Sequence, residues 1–231
     1  MLSANPVDTQ DDAVLEDVMS PNTIPTTPAA ADILAQAAEI HGQKPPAAEV
    51  VQALLDAERA AKHPRPSLAV DALLGRWQLR FTAPNKPAYK AGIPVGKGFY
   101  WPTLFPGTIT FSRSVQSPNS DATPVDSGSP NTTPDDALTI ENQIQLGPLA
   151  LRFSGPAKFL PKQNLLAFDF VQVQLWVGRL CLLKLPIKGR AGAANFATTS
   201  IAKLPFFAFF AATPQYLAAR GRGGGLALWV N

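Results

Sequence analysis

The chain of 231 residues is poor in the side chains that most catalytic sites are built from: one cysteine, two histidines and two methionines. A lone thiol, Cys181, excludes an intrachain disulfide framework and any zinc site made of several cysteines. It also sets a reducing, intracellular compartment as the default expectation, and its apolar surroundings read as those of a small core residue. His41 and His63 precede the region expected to fold, so no Cys–His pair and no metal or catalytic set is assigned. Carboxylates are equally scarce beyond Gly75, where only Glu141 and Asp169 stand outside the stretch from Ser117 to Asp136. Asp169, between Phe168 and Phe170, is expected to pair with an arginine; orienting a ligand hydroxyl is the alternative. No apolar run reaches the roughly 18 residues that a membrane-crossing helix needs.

Charge is unevenly spread. Residues 1–43 carry seven acidic side chains and no lysine or arginine, whereas the rest of the chain has 20 basic against 10 acidic residues, a net +10. A body of that sign suits an anionic membrane surface or nucleic acid, and equally an ordinary solvated surface. The first residues, with Asp8, Asp11, Asp12, Glu16 and Asp17, resemble neither a secretory signal nor an Arg-rich transit peptide. The chain is therefore expected to work in the compartment where it is made.

Residues 1–43 hold Pro6, Pro21, Pro25 and Pro28 among polar side chains and read as a disordered acidic tail, with at most a marginal Ala-rich helix from Asp32 to Glu39. Residues 44–74 form a helical cap, because Val50, Val51, Leu54 and Leu55 recur at helical spacing until Pro64 and Pro66. From Gly75 the period becomes two. Trp77, Leu79 and Phe81 alternate with Arg76, Gln78, Arg80 and Thr82, which predicts a strand with one core face and one wet face. Further strands are expected over 108–115, 138–146, 149–153, 165–177 and 179–185, near 192–201, and from Gly225 to the end. Within 165–177 the apolar parity shifts by one residue after Phe170, the mark of a β-bulge.

The segment 84–107, rich in Pro, Gly and aromatics, reads as a lid or barrel mouth, and 117–136 as a flexible insert. About eight strands in meander order predict a mainly β chain, an antiparallel lipocalin-like barrel over 75–231 that encloses one small ligand. The final stretch, Tyr216 to Asn231, would be the strand that closes it. Four glycines between Gly221 and Gly225 bend the chain into that strand.

Two motifs imitate nucleotide sites and fail. Gly92, Gly96 and Lys97 lack phosphate-loop spacing and a following Ser or Thr, and the Arg-Gly segment 220–225 enters a strand rather than a helix. That segment is either a barrel-closing bend with surface arginines or an RNA contact, or it sends Arg220 or Arg222 to pack on Trp77. Phe206, Phe207, Phe209 and Phe210 either plug the barrel floor or meet a lipid surface or partner.

The runs Leu74-Gly-Arg-Trp-Gln-Leu-Arg-Phe-Thr82, Gly107-Thr-Ile-Thr-Phe111 and Arg220-Gly-Arg-Gly-Gly-Gly-Leu-Ala-Leu-Trp229 together resemble the plastid lipid-associated protein (fibrillin) family, most closely a cyanobacterial member. The resemblance spans roughly Val50 to Asn231; the acidic tail and the insert depart from it. It implies a barrel associated with thylakoids, on the cytoplasmic side in a cyanobacterium or within a plastid, or with lipid globules. It further implies binding of a prenylquinone, carotenoid or other lipid, with no required cofactor.

The expected function is non-enzymatic binding of a hydrophobic small molecule. Its cup would be lined by Trp77, Leu79, Phe81, Phe111, Phe153, Phe168, Trp176 and Trp229, with Arg220 beside it. Lys86, Lys90, Lys97 and Trp101 would meet the membrane. An assembly factor for a photosynthetic membrane complex, with the barrel as a filled scaffold, is the alternative. A bilin lyase-like enzyme is disfavoured by the scarcity of histidine and acid in the barrel, and nucleic acid is the last of the partners considered.

Overall fold

The alternation that begins at Gly75 does build a strand, and the strand next to it is the last one in the chain. The computed structural model describes residues 28–62, 67–84, 88–90, 93–95, 98–114, 137–187, 196 and 198–231. Within them, helices α1 (Pro28–Ala38) and α2 (Ala47–Ala60) precede thirteen strands. These are β1 (Gly75–Ala83), β2 (Ala88–Lys90), β3 (Ile93–Val95), β4 (Phe99–Tyr100), β5 (Gly107–Arg113), β6 (Leu138–Leu146), β7 (Leu149–Leu160), β8 (Leu165–Phe168), β9 (Gln172–Val177), β10 (Leu180–Pro186), β11 (Phe206–Ala212), β12 (Tyr216–Gly221) and β13 (Leu226–Val230). Eight of them close a ring in the order β1-β5-β6-β7-β8-β11-β12-β13 and back to β1, every pairing antiparallel. This is a lipocalin-like barrel. The terminal strand closes it, with Trp229 opposite Leu79.

Two hairpins of the middle chain turn at Gly147-Pro148 and Gly178-Arg179, and each turn starts on a glycine with positive φ. The predicted bulge in 165–177 is also present. β8 pairs with β7 so that Phe168 faces Ala157, whereas β9 pairs so that Gln172 faces Ser154, a slip of one residue that divides the segment into two strands. Opposite the slip lies Gly155, where a Cβ would stand 1.9 Å from the carbonyl oxygen of Asp169. Only glycine admits that backbone approach.

Several expectations are corrected. The supposedly disordered tail contains α1, whose Ala30, Leu34, Ala37 and Ala38 are buried against α2 and the barrel. In α2 the buried stripe is Val50, Ala53, Leu54 and Ala57, the i, i+3, i+4, i+7 pattern of a helix lying on a core. The two helices cover the outside of β1, β13 and β11, so the face of β1 expected to be wet is dry near its end. There Arg80, 5% exposed, donates from Nε to the carbonyl of Ala37 (3.0 Å) and from Nη2 to that of Glu39 (2.6 Å), capping the C-terminal carbonyls of α1.

Two strands, β11 and β12, stand where a floor plug and the approach to the last strand were expected. The Phe run is barrel wall because Phe207 and Phe209 point inward while Phe210 is buried beside them. Half of the proposed strand near 192–201 lies outside the described residues, and its last residue, Ile201, begins a 3-10 turn, Ile201–Lys203. The tail before residue 28 and the insert 117–136 lie outside the described residues too.

Candidate functional site

Residues that alternate inward around the ring meet in a continuous aromatic stack. Phe111 packs edge-on against Phe209 (6.1 Å between ring centres), Phe209 against Phe207 (6.3 Å), and Phe207 lies stacked on Phe168 (5.0 Å) and edge-on to Trp229 (5.2 Å). Phe170 and Phe153 extend the series at the bulge. The rings fill the waist of the barrel. One end remains open, as a cleft of about 200 Å³ lined by Leu79, Thr82, Trp101, Asn142, Phe207 and Trp229 among others. Larger clefts, of about 390 Å³ and 310 Å³, lie between α1 and α2 and beside the 3-10 turn Val70–Ala72, outside this mouth.

The cleft is apolar with a few polar groups. Trp101, expected in a membrane-facing loop, is brought to the mouth when its backbone N–H donates to Arg80 O (2.9 Å), and its indole N–H donates to Phe105 O (2.5 Å). Thr82 Oγ1 is engaged with Leu226 O (3.2 Å). Asn142 shares the inward face of β6 with Ile140 and Ile144 and makes no side-chain hydrogen bond among the described residues, which leaves its amide free to donate and accept.

Beyond the mouth the wall continues. β6 and β7 are longer than their barrel neighbours, and with β9 and β10 they form a four-stranded lip outside the ring. The registers place Ile144, Leu146, Leu149, Leu151, Phe153, Val173, Leu175, Val177, Leu180, Leu183 and Leu185 on one face, the direct continuation of the barrel's inward face. The opposite face is polar and internally bonded. There Arg152 donates to Gln143 (2.7 Å) and lies over the ring of Trp176 (4.6 Å), while Trp176 donates to Gln174 (2.9 Å) and Gln174 to Gln172 (2.9 Å).

The sequence-predicted ligand residues therefore divide. Leu79 and Trp229 line the cleft; Phe111 and Phe168 form the stack beneath it; Phe153 stands at the base of the lip. Trp77 faces Ile109 on the inward side, and its indole donates to Leu73 O (2.8 Å) at the far end. Three residues do not reach the cup. Phe81 is turned outward by a register slip between Leu79 and Phe81 and packs edge-on to Tyr100 (5.2 Å). Trp176 is on the polar face of the lip. Arg220 points outward and holds α2 through a two-pronged ion pair with Glu58 (2.6 and 2.5 Å) and a bond to Gly224 O.

That hydrogen-bonded pairing raises the pKa of Arg220 further, against the smaller effect of burial. Neither it nor Arg222, which donates to Leu204 O (3.1 Å), packs on Trp77.

Of the expected membrane contacts, Lys86 and Lys97 lie outside the described residues, and Lys90 is described only as backbone of β2. Phe206 and Phe207 are half-buried and Phe209 and Phe210 buried, so these four make wall rather than surface. Cys181, expected in the core, is exposed on the edge strand β10. Asp169 is buried, and its backbone N–H donates to Pro156 O (3.0 Å).

Sequence reading missed Asn142, Thr82 and Trp101 as cleft residues. Asn142 was the legible one, a polar residue at an inward position of an otherwise apolar alternation. No family model matches the chain, and no curated protein matches it.

Proposed function

We propose that the barrel mouth binds a hydrophobic small molecule with a compact ring at one end and a long apolar chain, an isoprenoid quinone fitting best. The observation that carries this reading is the unbroken run of inward-facing apolar residues from the cleft onto the lip. A cleft of about 200 Å³ takes a ring and not a whole isoprenoid. For scale, an apolar protein cavity of about 150 Å³ holds benzene. The ring would enter between Trp101 and Trp229, with the Asn142 amide donating to a ring carbonyl, and the chain would lie along Ile144, Leu151 and Leu175. Each methylene taken from water contributes about 0.8 kcal/mol before association costs, so the chain supplies affinity and the amide supplies orientation.

The reading is of a binding protein without catalysis, and among the described residues no carboxylate, imidazole or thiol lines the cleft. A thylakoid or lipid-globule setting, which the family resemblance implies, belongs to the same proposal. The filled waist favours a second reading, a scaffold that assembles a membrane complex, in which the cleft holds nothing. Titration of the full chain with a decyl-substituted benzoquinone separates them. Saturable quenching of tryptophan fluorescence, lost when Ala227 of the cleft lining is enlarged in Ala227→Phe, supports the ligand site, whereas absence of saturable quenching overturns it.

A further inference from the structure

Resting on the reading of the mouth as a ligand site, we propose that the aliphatic face of the lip is the surface on which this protein lies against an anionic lipid bilayer. The face is open to solvent to a degree unusual for its composition. Leu180 is 70% exposed, Leu183 48%, Leu185 47%, Leu146 48% and Leu149 43%, all on one side of a four-stranded sheet. Contiguous apolar surface of this kind marks an interaction site, whereas singly scattered leucines do not. Across the mouth the loop between β4 and β5 adds Leu104 (70%) and Phe105 (37%), and its Pro106 O accepts from the Gln145 N–H of the lip (3.1 Å). Lip and loop thus form one apolar rim.

Charge selects the occupant. From the start of β6 at Leu138 to Pro186 the chain has five basic residues, Arg152, Lys158, Lys162, Arg179 and Lys184, and two acids, Glu141, 3.9 Å from Arg152, and the buried Asp169. Arg179 sits at the tip of the lip, where it would meet anionic headgroups while the leucines enter the acyl boundary, and Lys184, opposite Gln174 on the other face of the edge strand, would snorkel round that edge. A second copy seated face to face by a two-fold axis would bring the same cationic tips into one interface. A protein partner is disfavoured by composition, because energetic centres of such interfaces are rich in Trp, Tyr and Arg and poor in Leu. Continuity completes the argument: a hydrophobic molecule leaving the bilayer along this face reaches the cleft without crossing water.

The test is co-sedimentation of the full chain with vesicles of phosphatidylglycerol and phosphatidylcholine, and with phosphatidylcholine alone. Binding is expected to the anionic vesicles, weakened at least tenfold by Leu183→Glu with Leu185→Glu. Arg179→Glu and Lys184→Glu are each expected to weaken it about fivefold or more. Both leucines are solvent-exposed, and a circular dichroism melt checks that the variants keep the fold. Equal sedimentation of wild type and the double leucine variant would overturn the proposal. So would a wild-type dimer in analytical ultracentrifugation that the same variant makes monomeric. Ala227→Phe, which blocks the cleft, should sediment as wild type. Vesicle binding without quinone uptake would thus sink the ligand reading and leave the docking face standing; uptake without vesicle binding would do the reverse.

Discussion

Replacing Phe207 by alanine removes the ring at the centre of the barrel's aromatic stack. Phe207 is half-buried, so the lost transfer free energy is about 1.5 kcal/mol, half of the roughly 3 kcal/mol for a fully buried phenylalanine. It touches three other rings, Phe168, Phe209 and Trp229, each worth about 0.5 kcal/mol or more beyond area. The sum is about 3 kcal/mol. For a domain of this size that lowers the melting temperature by about 6–12 °C.

The same change opens the cleft inward, towards Phe168 and Phe209, so the variant should accept quinones with a bulkier ring than wild type takes. Urea unfolding measures the first quantity, and fluorescence titration with ring-substituted quinones measures the second. Leu104→Ala, at a side chain 70% exposed, is the control and should change stability by less than about 1 kcal/mol. A loss below about 1 kcal/mol for Phe207→Ala would refute the stack as a structural centre. An unchanged ring preference with the full stability loss would refute the cleft as the ring's site.

Gly155→Ala should lower stability by about 3 kcal/mol or abolish soluble expression, because the added Cβ meets the Asp169 carbonyl at 1.9 Å. Gly223→Ala, where a Cβ meets nothing within 4 Å, should be near neutral in the same melts. A double-mutant cycle of Glu58→Gln and Arg220→Met should give a coupling of about 2 kcal/mol, since the pair is two-pronged and only about a quarter exposed. Tyr216 is held above its ordinary pKa of 10.0 by burial, and further by the charge of Asp32. Between that value and its folded one, the unfolded chain loses the phenol proton and the folded chain keeps it, so stability falls as pH rises. Tyr216→Phe should flatten the fall in an alkaline unfolding series above pH 10.

What the sequence disclosed follows from how each element is buried. β1, β6 and the first half of β7 alternate because one side of each meets the core, and their bounds were legible. β11 was not, because both its sides are apolar: Phe207 and Phe209 face the rings inside, while Phe210 and Ala212 are buried as well. With no polar face the period of two vanishes, and a wall strand looks like a plug. α1 was obscured for a related reason. Its buried face is three alanines and one leucine, too small a signal among prolines and acids, and its end is secured by Arg80 from a strand far along the chain. Phe81 and Trp176 were placed in the cup on parity alone, which a slip at residue 80 and the outward polar ladder of the lip both defeat.

The lip shows most clearly where parity stops being informative. Phe168 faces inward on β8, and without a slip the next inward positions would be even-numbered: Phe170, Gln172, Gln174 and Trp176. The bulge moves the inward set to Val173, Leu175 and Val177 and sends the glutamines outward to Arg152. The sequence contains that slip in plain view, since aliphatic residues change register there. Alternation reports which residues share a face; it does not report whether anything covers that face. On this side of the ring β11 pairs with β8 and stops there, and it is β10 that lies beside β9. A face prepared as barrel interior thereby continues past the last ring of strands and stands exposed. Leaving so much contiguous apolar area in water is unfavourable, and the proposed ligand cleft and the proposed docking face are two parts of that one surface.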